Sequence, residues 1–442
     1  MVFSVTYIGE GTYHKYGIFG NSNIFQDLNP EKEKHKMATF ADETLPNNKN
    51  EMRKQTQAIH TCYDRPDAYG ALSMPIYNNV AYEFDDAQTM SDTFRGKILV
   101  PDYSRTMNPT VTHLENKVRV LTGAHHVTAF NSGMAAISNT LLALSAQGRN
   151  IVTSRHLFGN TFALLTQTLH RFGVEARLVD LTDLAAVEAA IDNSTCAVYL
   201  EVITNPQLEV APLEELAKIA HSHGIPLVAD STVIPFTEHH LKELGVDIEV
   251  VSSTKYISGG ATSLGGLVID YNAGEEFHQR IAMEMLFNLG AYMTPQAAYM
   301  QTLGLETLHA RYALQAANAL MLAKRLRSLP EIRQVNYVGL EDNPFHERAQ
   351  KQFGLTAGAL LTIDLDSREK CFRFINSLQL VKRATNLFDN RTLAIHPAST
   401  IFGNFDEKTR QQMDVRETTV RISVGLEDID DIFEDIRQAL EK

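Results

Sequence analysis

The stretch Val251-Ser252-Ser253-Thr254-Lys255-Tyr256-Ile257-Ser258-Gly259-Gly260 sets one lysine between hydroxyl side chains and a glycine-rich turn. It follows directly on the run Ile248-Glu249-Val250-Val251. A lysine at the mouth of a buried strand loses part of its preference for the ammonium form, because desolvation disfavours the charge. Such an amine is a nucleophile that forms Schiff bases with carbonyl compounds and with pyridoxal phosphate, and adjacent Ser and Thr hydroxyls can hold a phosphate. A Ser-x-Thr-Lys string alone is more often a surface lysine in a Gly/Ser loop. Its partners in the chain therefore decide the reading.

Three further strings offer such partners. Asn131-Ser132-Gly133-Met134 follows the run "VTAF" and opens a helical pattern. Ser132 suits an N-cap, and Gly133 lets a ligand approach the free N–H groups of a helix start, a ready site for phosphate. Pro226-Leu227-Val228-Ala229-Asp230 ends an apolar strand on a carboxylate. In open α/β sheets ligands bind beyond the carboxyl ends of strands, where Asp230 could keep a ring nitrogen protonated, cap a helix or bind a metal. Its position one expected strand-helix-strand unit before Lys255 favours the ring-nitrogen role. The string Pro101-Asp102-Tyr103-Ser104-Arg105-Thr106-Met107-Asn108 carries an arginine fork and a phenol two residues apart, groups that recognise phosphate. Arg421 in "TVRISVGL" lies on an alternating strand. It either faces inward, paired with an anion such as a substrate carboxylate, or faces solvent from a sheet edge.

Positioning these groups requires a regular frame. From about residue 124 the runs "HHVTAF", "NIVTS", "EARLVDL", "CAVYLEV", "IPLVAD", "DIEVVSS" and "LGGLVID" alternate with segments of helical spacing. This pattern predicts an α/β fold in which helices cover a large, mostly parallel sheet. After about residue 290 a long helical region precedes "GALLTIDL", "REKCFRFINSL", "TVRISVGL" and an acidic terminal helix, the signature of a smaller α+β domain. The first fifty or so residues are polar and weakly periodic and read as an extension with little core of its own.

Composition narrows the partners. The 442 residues carry a net charge of −13 with 44% apolar content, which opposes binding to nucleic acid or anionic membranes. No apolar run reaches the length of a membrane span, and the expected location is cytoplasmic. Cys62, Cys196 and Cys371 are widely spaced and outside any metal pattern, so they read as inert packing residues. His221 and His223 close a helical run, where histidine is favoured, and no metal site is expected.

Taken together, "YSRTMNPT", "NSGMAAI", "ITNP", "VADST", "SSTKYISGG", "HPAST" and "RISVGLED" resemble, in order, the signatures of the cystathionine synthase and lyase family. These are the pyridoxal-phosphate enzymes of cysteine and methionine metabolism. The resemblance runs from about Gln57 to Lys442 and implies the aspartate aminotransferase-like fold of pyridoxal-phosphate transferases. It implies an N-terminal extension over 1–56, an arm contacting a neighbouring subunit over 57–100, a cofactor-binding domain over 101–292 and a C-terminal α+β domain over 293–442. By the same resemblance Lys255 holds pyridoxal 5′-phosphate covalently and moves protons, and Asp230 pairs with the ring nitrogen. The backbone of Gly133 and Met134 and the hydroxyls of Ser252 and Thr254 bind the phosphate. Tyr103 and Arg105 reach the phosphate of a neighbouring subunit, which implies a homo-oligomer, commonly a dimer of dimers. Arg421, helped by Asn205 and Asn386, takes the substrate carboxylate.

Three positions depart from the family pattern. Phe158 stands where a ring-stacking tyrosine is usual, so stacking survives without the phenol. Gly260 replaces a frequent histidine, and Phe388 replaces a frequent glycine. Asn160 stands where methionine γ-lyases carry a cysteine. The strings "SSTKYISGGATSLGGLVID", "NYVGLEDNPFHERAQ" and "LFDNRTLAIHPASTIFG" look most like the O-acetylhomoserine sulfhydrylase branch, implying γ-replacement on O-acetylhomoserine by sulfide or a thiol. The alternatives are γ-elimination from methionine or cystathionine, cystathionine γ-synthesis, and, in a different class, a non-catalytic relative of the fold. A nucleotide-binding oxidoreductase is disfavoured, because no G-x-G-x-x-G follows a strand.

Overall fold

The computed structural model describes residues 52–61, 69–354 and 357–442. The expected N-terminal extension lies almost wholly outside them. The segment Asp86–Leu99 is a separate small unit; its helix Ala87–Phe94 is capped by Asp86, whose carboxylate accepts the N–H groups of Gln88 and Thr89.

In the main unit the seven expected runs form seven strands. These are β1 His126–Phe130, β2 Asn150–Ser154, β3 Glu175–Val179, β4 Thr195–Glu201, β5 Leu227–Asp230, β6 Ile248–Val251 and β7 Gly266–Asp270. They make one sheet in the order β1-β7-β6-β5-β4-β2-β3. Only β7 runs against its neighbours, while β3, β2, β4, β5 and β6 are parallel. Every residue of β2, β4, β5, β6 and β7 is buried, as a sheet covered on both faces requires. The register sets Glu201 opposite Asp230 and Asp230 opposite Val250. Three strands therefore end side by side at one edge.

One expectation fails. No helix separates β5 from β6: residues 231–247 are turns. Pro235 interrupts the segment, and its buried apolar residues Val233, Ile234, Phe236 and Leu241 plug the sheet without helical spacing. Asp230 and Lys255 are thus joined by a turn-built crossover.

The second sheet holds β8 Gln334–Asn336, β9 Leu360–Asp364, β10 Lys382–Arg383, β11 Leu393–Ile395 and β12 Thr419–Ser423, in the order β10-β11-β12-β9-β8. The long helical region breaks at Thr307 into the helices Pro295–Glu306 and Leu308–Leu326. The terminal helix Ile429–Leu440 buries Ile432, Ile436 and Ala439. Its buried Asp435 accepts the N–H groups of Gln379, Leu380 and Val381, so that carboxylate is satisfied. One apolar cluster includes Leu200 and Ala229 of the first sheet and Leu361 and Val420 of the second. Loops from the two sheets can therefore meet with little freedom.

Cys196 and Cys371 are buried and free, and burial pushes their thiols up to about 11 and about 12, which leaves them inert. Cys62 lies outside the described residues. His221 and His223 contact separate carboxylates, Asp247 and Glu188, and no cluster fit for a metal ion occurs among the described residues. Among these residues no helix is long and apolar enough to cross a membrane.

Candidate active site

Lys255 follows β6 in a tight turn, its N–H donating to the Ser252 carbonyl at 3.1 Å. Its Nζ donates to Asn386 Oδ1 of the second sheet's loop at 2.7 Å. Burial, with the Arg421 charge nearby, pushes the amine down to about 8. A sizeable neutral fraction is therefore present near neutral pH, which is what a nucleophilic amine needs. The turn is braced by Arg311, which donates to the carbonyls of Tyr256 at 2.7 Å and Gly304 at 2.6 Å.

Asp230 is buried at the end of β5, with Oδ1 accepting the Thr232 N–H at 2.9 Å. Thr232 Oγ1 accepts the Ser252 N–H at 2.9 Å, so the Asp230 turn and the Lys255 turn are tied directly. Burial, together with the charge of nearby Glu249, raises the Asp230 carboxyl. A cation at this place would be strongly favoured.

The helix Gly133–Leu144 starts beside the same turn, with Ser132 Oγ capping the Ala135 N–H. A Cβ on Gly133 would fall 2.5 Å from the Ser252 Cβ. Only glycine lets the helix start and Ser252 approach this closely. The Ser252 Oγ would lie 2.6 Å from that same Cβ, and Thr254 Oγ1 bonds both the carbonyl and the N–H of Gly265.

Arg421 is 2% exposed. The solvent-facing reading is wrong, because β12 lies between β11 and β9 in the sheet interior. Its Nη1 donates to Asn205 Oδ1 at 3.1 Å, and its Nη2 to the carbonyls of Thr385 and Asn386 at 3.3 Å. Its Nε is buried without a partner. Burial pushes the guanidinium down to about 9, which still leaves it charged at neutral pH and unmatched by any carboxylate in these bonds. An anionic ligand would relieve that state. The structure thus brings Lys255, Asn386, Arg421 and Asn205 into one linked group.

Phe158 sits half-buried at the N-terminus of the helix Gly159–Ala163, and Asn160 is exposed on it. The loop before it is fastened by His156, whose ring bonds Glu209 at 3.1 Å and Asp414 at 2.8 Å. Tyr103 and Arg105 stand apart from the Lys255 group within the chain. The Arg105 guanidinium lies 5.4 Å from the Tyr103 ring centroid and donates to the Phe287 carbonyl, and Tyr103 is 43% exposed. Gly260 has φ 118°, and a Cβ there would lie 2.7 Å from Nδ2 of Asn390, which stands two residues beyond Phe388 in the chain. Sequence reasoning missed Glu201 and Thr232. Glu201 carried a visible signal, a carboxylate closing an apolar strand as Asp230 does.

The sheet order, the strand-end carboxylate and the desolvated lysine define a cofactor-dependent α/β enzyme architecture. Over residues 55–441 the chain matches, and belongs to, the family of Cys/Met metabolism PLP-dependent enzymes. It is 37% identical to an L-methionine gamma-lyase of Pseudomonas putida, covering 87% of this chain and 96% of the relative. It is 32% identical to an O-acetyl-L-homoserine sulfhydrylase of Corynebacterium glutamicum, covering 86% and 95%. Its fold superposes with a TM-score of 0.86, at 33% identity, on a putative O-acetylhomoserine (thiol)-lyase of Campylobacter jejuni that contains N′-pyridoxyl-lysine-5′-monophosphate, covering 88% and 100%. Pyridoxal 5′-phosphate is therefore the cofactor. The residues fit it: a partly neutral amine, a buried carboxylate for a cation and a helix start that admits only glycine.

Proposed function

We propose that the protein catalyses γ-replacement on O-acetylhomoserine: sulfide or a small thiol forms the Cγ–S bond, the Cγ–O bond breaks, acetate leaves, and homocysteine or methionine results. The observation that carries this reading is the pairing of a desolvated Lys255 amine with a buried, carboxylate-free Arg421. An amine for proton chemistry beside a carboxylate receptor is what an α-amino acid substrate calls for.

In this reading Lys255 would hold pyridoxal 5′-phosphate, Asp230 would pair with its ring nitrogen and Phe158 would stack on its ring. Gly133, Met134, Ser252 and Thr254 hold the phosphate, joined by Tyr103 and Arg105 of a second copy of the chain in a dimer or a dimer of dimers. The bound cofactor supplies an electron sink that acidifies the substrate Cα–H. Asp230, whose buried carboxylate is favoured only beside a cation, would keep that sink protonated. Arg421 and Asn205 fix the carboxylate, an orientation effect that aims the Cα–H bond at Lys255 Nζ. Once the substrate amine has taken its place, Lys255 Nζ is free to take the Cα proton and to return it after the sulfur has added, with Asn386 Oδ1 accepting a hydrogen bond from the amine between these steps.

The second reading is γ-elimination from methionine or cystathionine, favoured by the likeness to the Pseudomonas putida lyase. It uses the same residues and ends with water in place of the thiol. Asn160 offers no thiol, which favours replacement. Purified protein is to be incubated with O-acetylhomoserine, O-succinylhomoserine, cystathionine and methionine, with and without sulfide, and the products identified. Homocysteine formed from O-acetylhomoserine and sulfide faster than α-ketobutyrate from methionine is the expected result, and the reverse order rejects it. Absence of a visible cofactor band that Lys255→Ala abolishes would reject both readings.

A further inference from the structure

Glu201 closes β4 with a buried carboxylate for which neither reading above has a use. Its Oε1 accepts the Phe158 N–H at 2.5 Å and its Oε2 the Asn205 N–H at 3.2 Å. Phe158 is carried by the loop after β2, Asn205 by the loop after β4. Asn205 in turn receives Arg421 Nη1. Glu201 also stands opposite Asp230 in the sheet register, and burial together with the Asp230 charge raises its carboxyl. A buried acid beside another acid is unfavourable for folding, and an apolar side chain of similar size would serve the core better. What the acid offers that an apolar residue cannot is two acceptor oxygens, each engaged by a different loop.

We propose that Glu201 is a positioning residue: one carboxylate sets the ring-facing loop of Phe158 and the substrate-facing loop of Asn205 in a common register. It does so without touching the reacting atoms. The inference deepens the reading above and rests on the roles given there to Phe158 and Asn205. Glu201→Gln keeps the shape but leaves one acceptor oxygen for two N–H donors, so one loop must lose its anchor and the other must shift. Glu201→Asp keeps a carboxyl group and shortens the reach, so it cannot span both loops. Glu214→Gln, at an exposed Lys351 pair, is the control for a lost surface charge.

Three measurements on the cofactor-loaded protein test this. Hydrogen exchange at the peptides spanning Phe158 and Asn205 is expected to quicken on the order of tenfold at both loops in either Glu201 variant, and not in Glu214→Gln. Visible circular dichroism of the bound cofactor, which reports ring orientation, is expected to change. The KM for the amino-acid substrate is expected to rise at least about tenfold while that for sulfide holds, a loss of positioning of the carboxylate rather than of chemistry. Unchanged exchange, or loosening confined to one loop, overturns the proposal, as does a wild-type KM with a wild-type visible spectrum. If the wild type itself shows no Lys255-dependent visible band, the functional reading fails, and the exchange data still decide for or against Glu201.

Discussion

Replacing Phe388 by glycine should damage the protein less than replacing it by alanine. Phe388 has φ 55°, in the left-handed region, where an L side chain carries about 1–2 kcal/mol of strain. It is fully buried and stacks on Tyr256 with centroids 3.9 Å apart and planes 9° from parallel. Its N–H donates to Ser423 Oγ at 2.7 Å. Phe388→Ala removes the buried ring, a loss of about 3–5 kcal/mol, and keeps the strain. Phe388→Gly loses the same contacts and sheds the strain but gives up roughly 0.5–1 kcal/mol more backbone entropy, so it should be the more stable of the two by on the order of 1 kcal/mol, reversing the usual preference for alanine. Denaturant unfolding of both variants with matched slopes gives the comparison, and in thermal unfolding the gap should be about 1–4 °C. If alanine equals or exceeds glycine, the stack does not hold Phe388 in a strained backbone and the reasoning fails. Because Tyr256 follows Lys255 and Asn386 lies two residues before Phe388, both variants should also slow turnover, as Asn386 loses its fixed distance to the amine.

Two further outcomes follow from the site. Arg421→Lys replaces a planar fork by a point charge at a buried position with three acceptors, so kcat/KM should fall by about 10- to 100-fold, mostly through the KM of the amino-acid substrate; steady-state kinetics showing a KM within about twofold of wild type would remove Arg421 from the carboxylate site. The Lys255 amine attacks only when neutral, so the rate at which the cofactor rebinds to stripped protein should rise with pH through about 8 and then level off. A midpoint near the free-lysine value of about 10.4, followed by visible absorbance, would contradict the buried placement.

The alternation of apolar runs and helical spacing announced the α/β sheet, since each strand and helix is dictated by local periodicity and burial on both faces. The strand-end positions of Lys255 and Asp230 were legible in the same way, because Asp230 closes an apolar run and Lys255 follows one, and an acid and an amine placed there each call for a partner. The contact of Asn386 with Lys255 was not legible, and Asn205 came beside Arg421 only through the family resemblance. Asn386 is 131 positions from Lys255, and Asn205 is 216 from Arg421; such pairs exist only because two sheets share one core. Sequence left Arg421 balanced between solvent and interior, and the placement of β12 between two strands resolved it. The segment between β5 and β6 was misread as helical because length and topology suggested a crossover helix, whereas Pro235 and the scattered apolar plugs make turns. The Gly260 and Phe388 departures looked independent along the chain. A Cβ at Gly260 would meet Asn390, and the Phe388 ring stacks on Tyr256; both are contacts that only the folded chain brings.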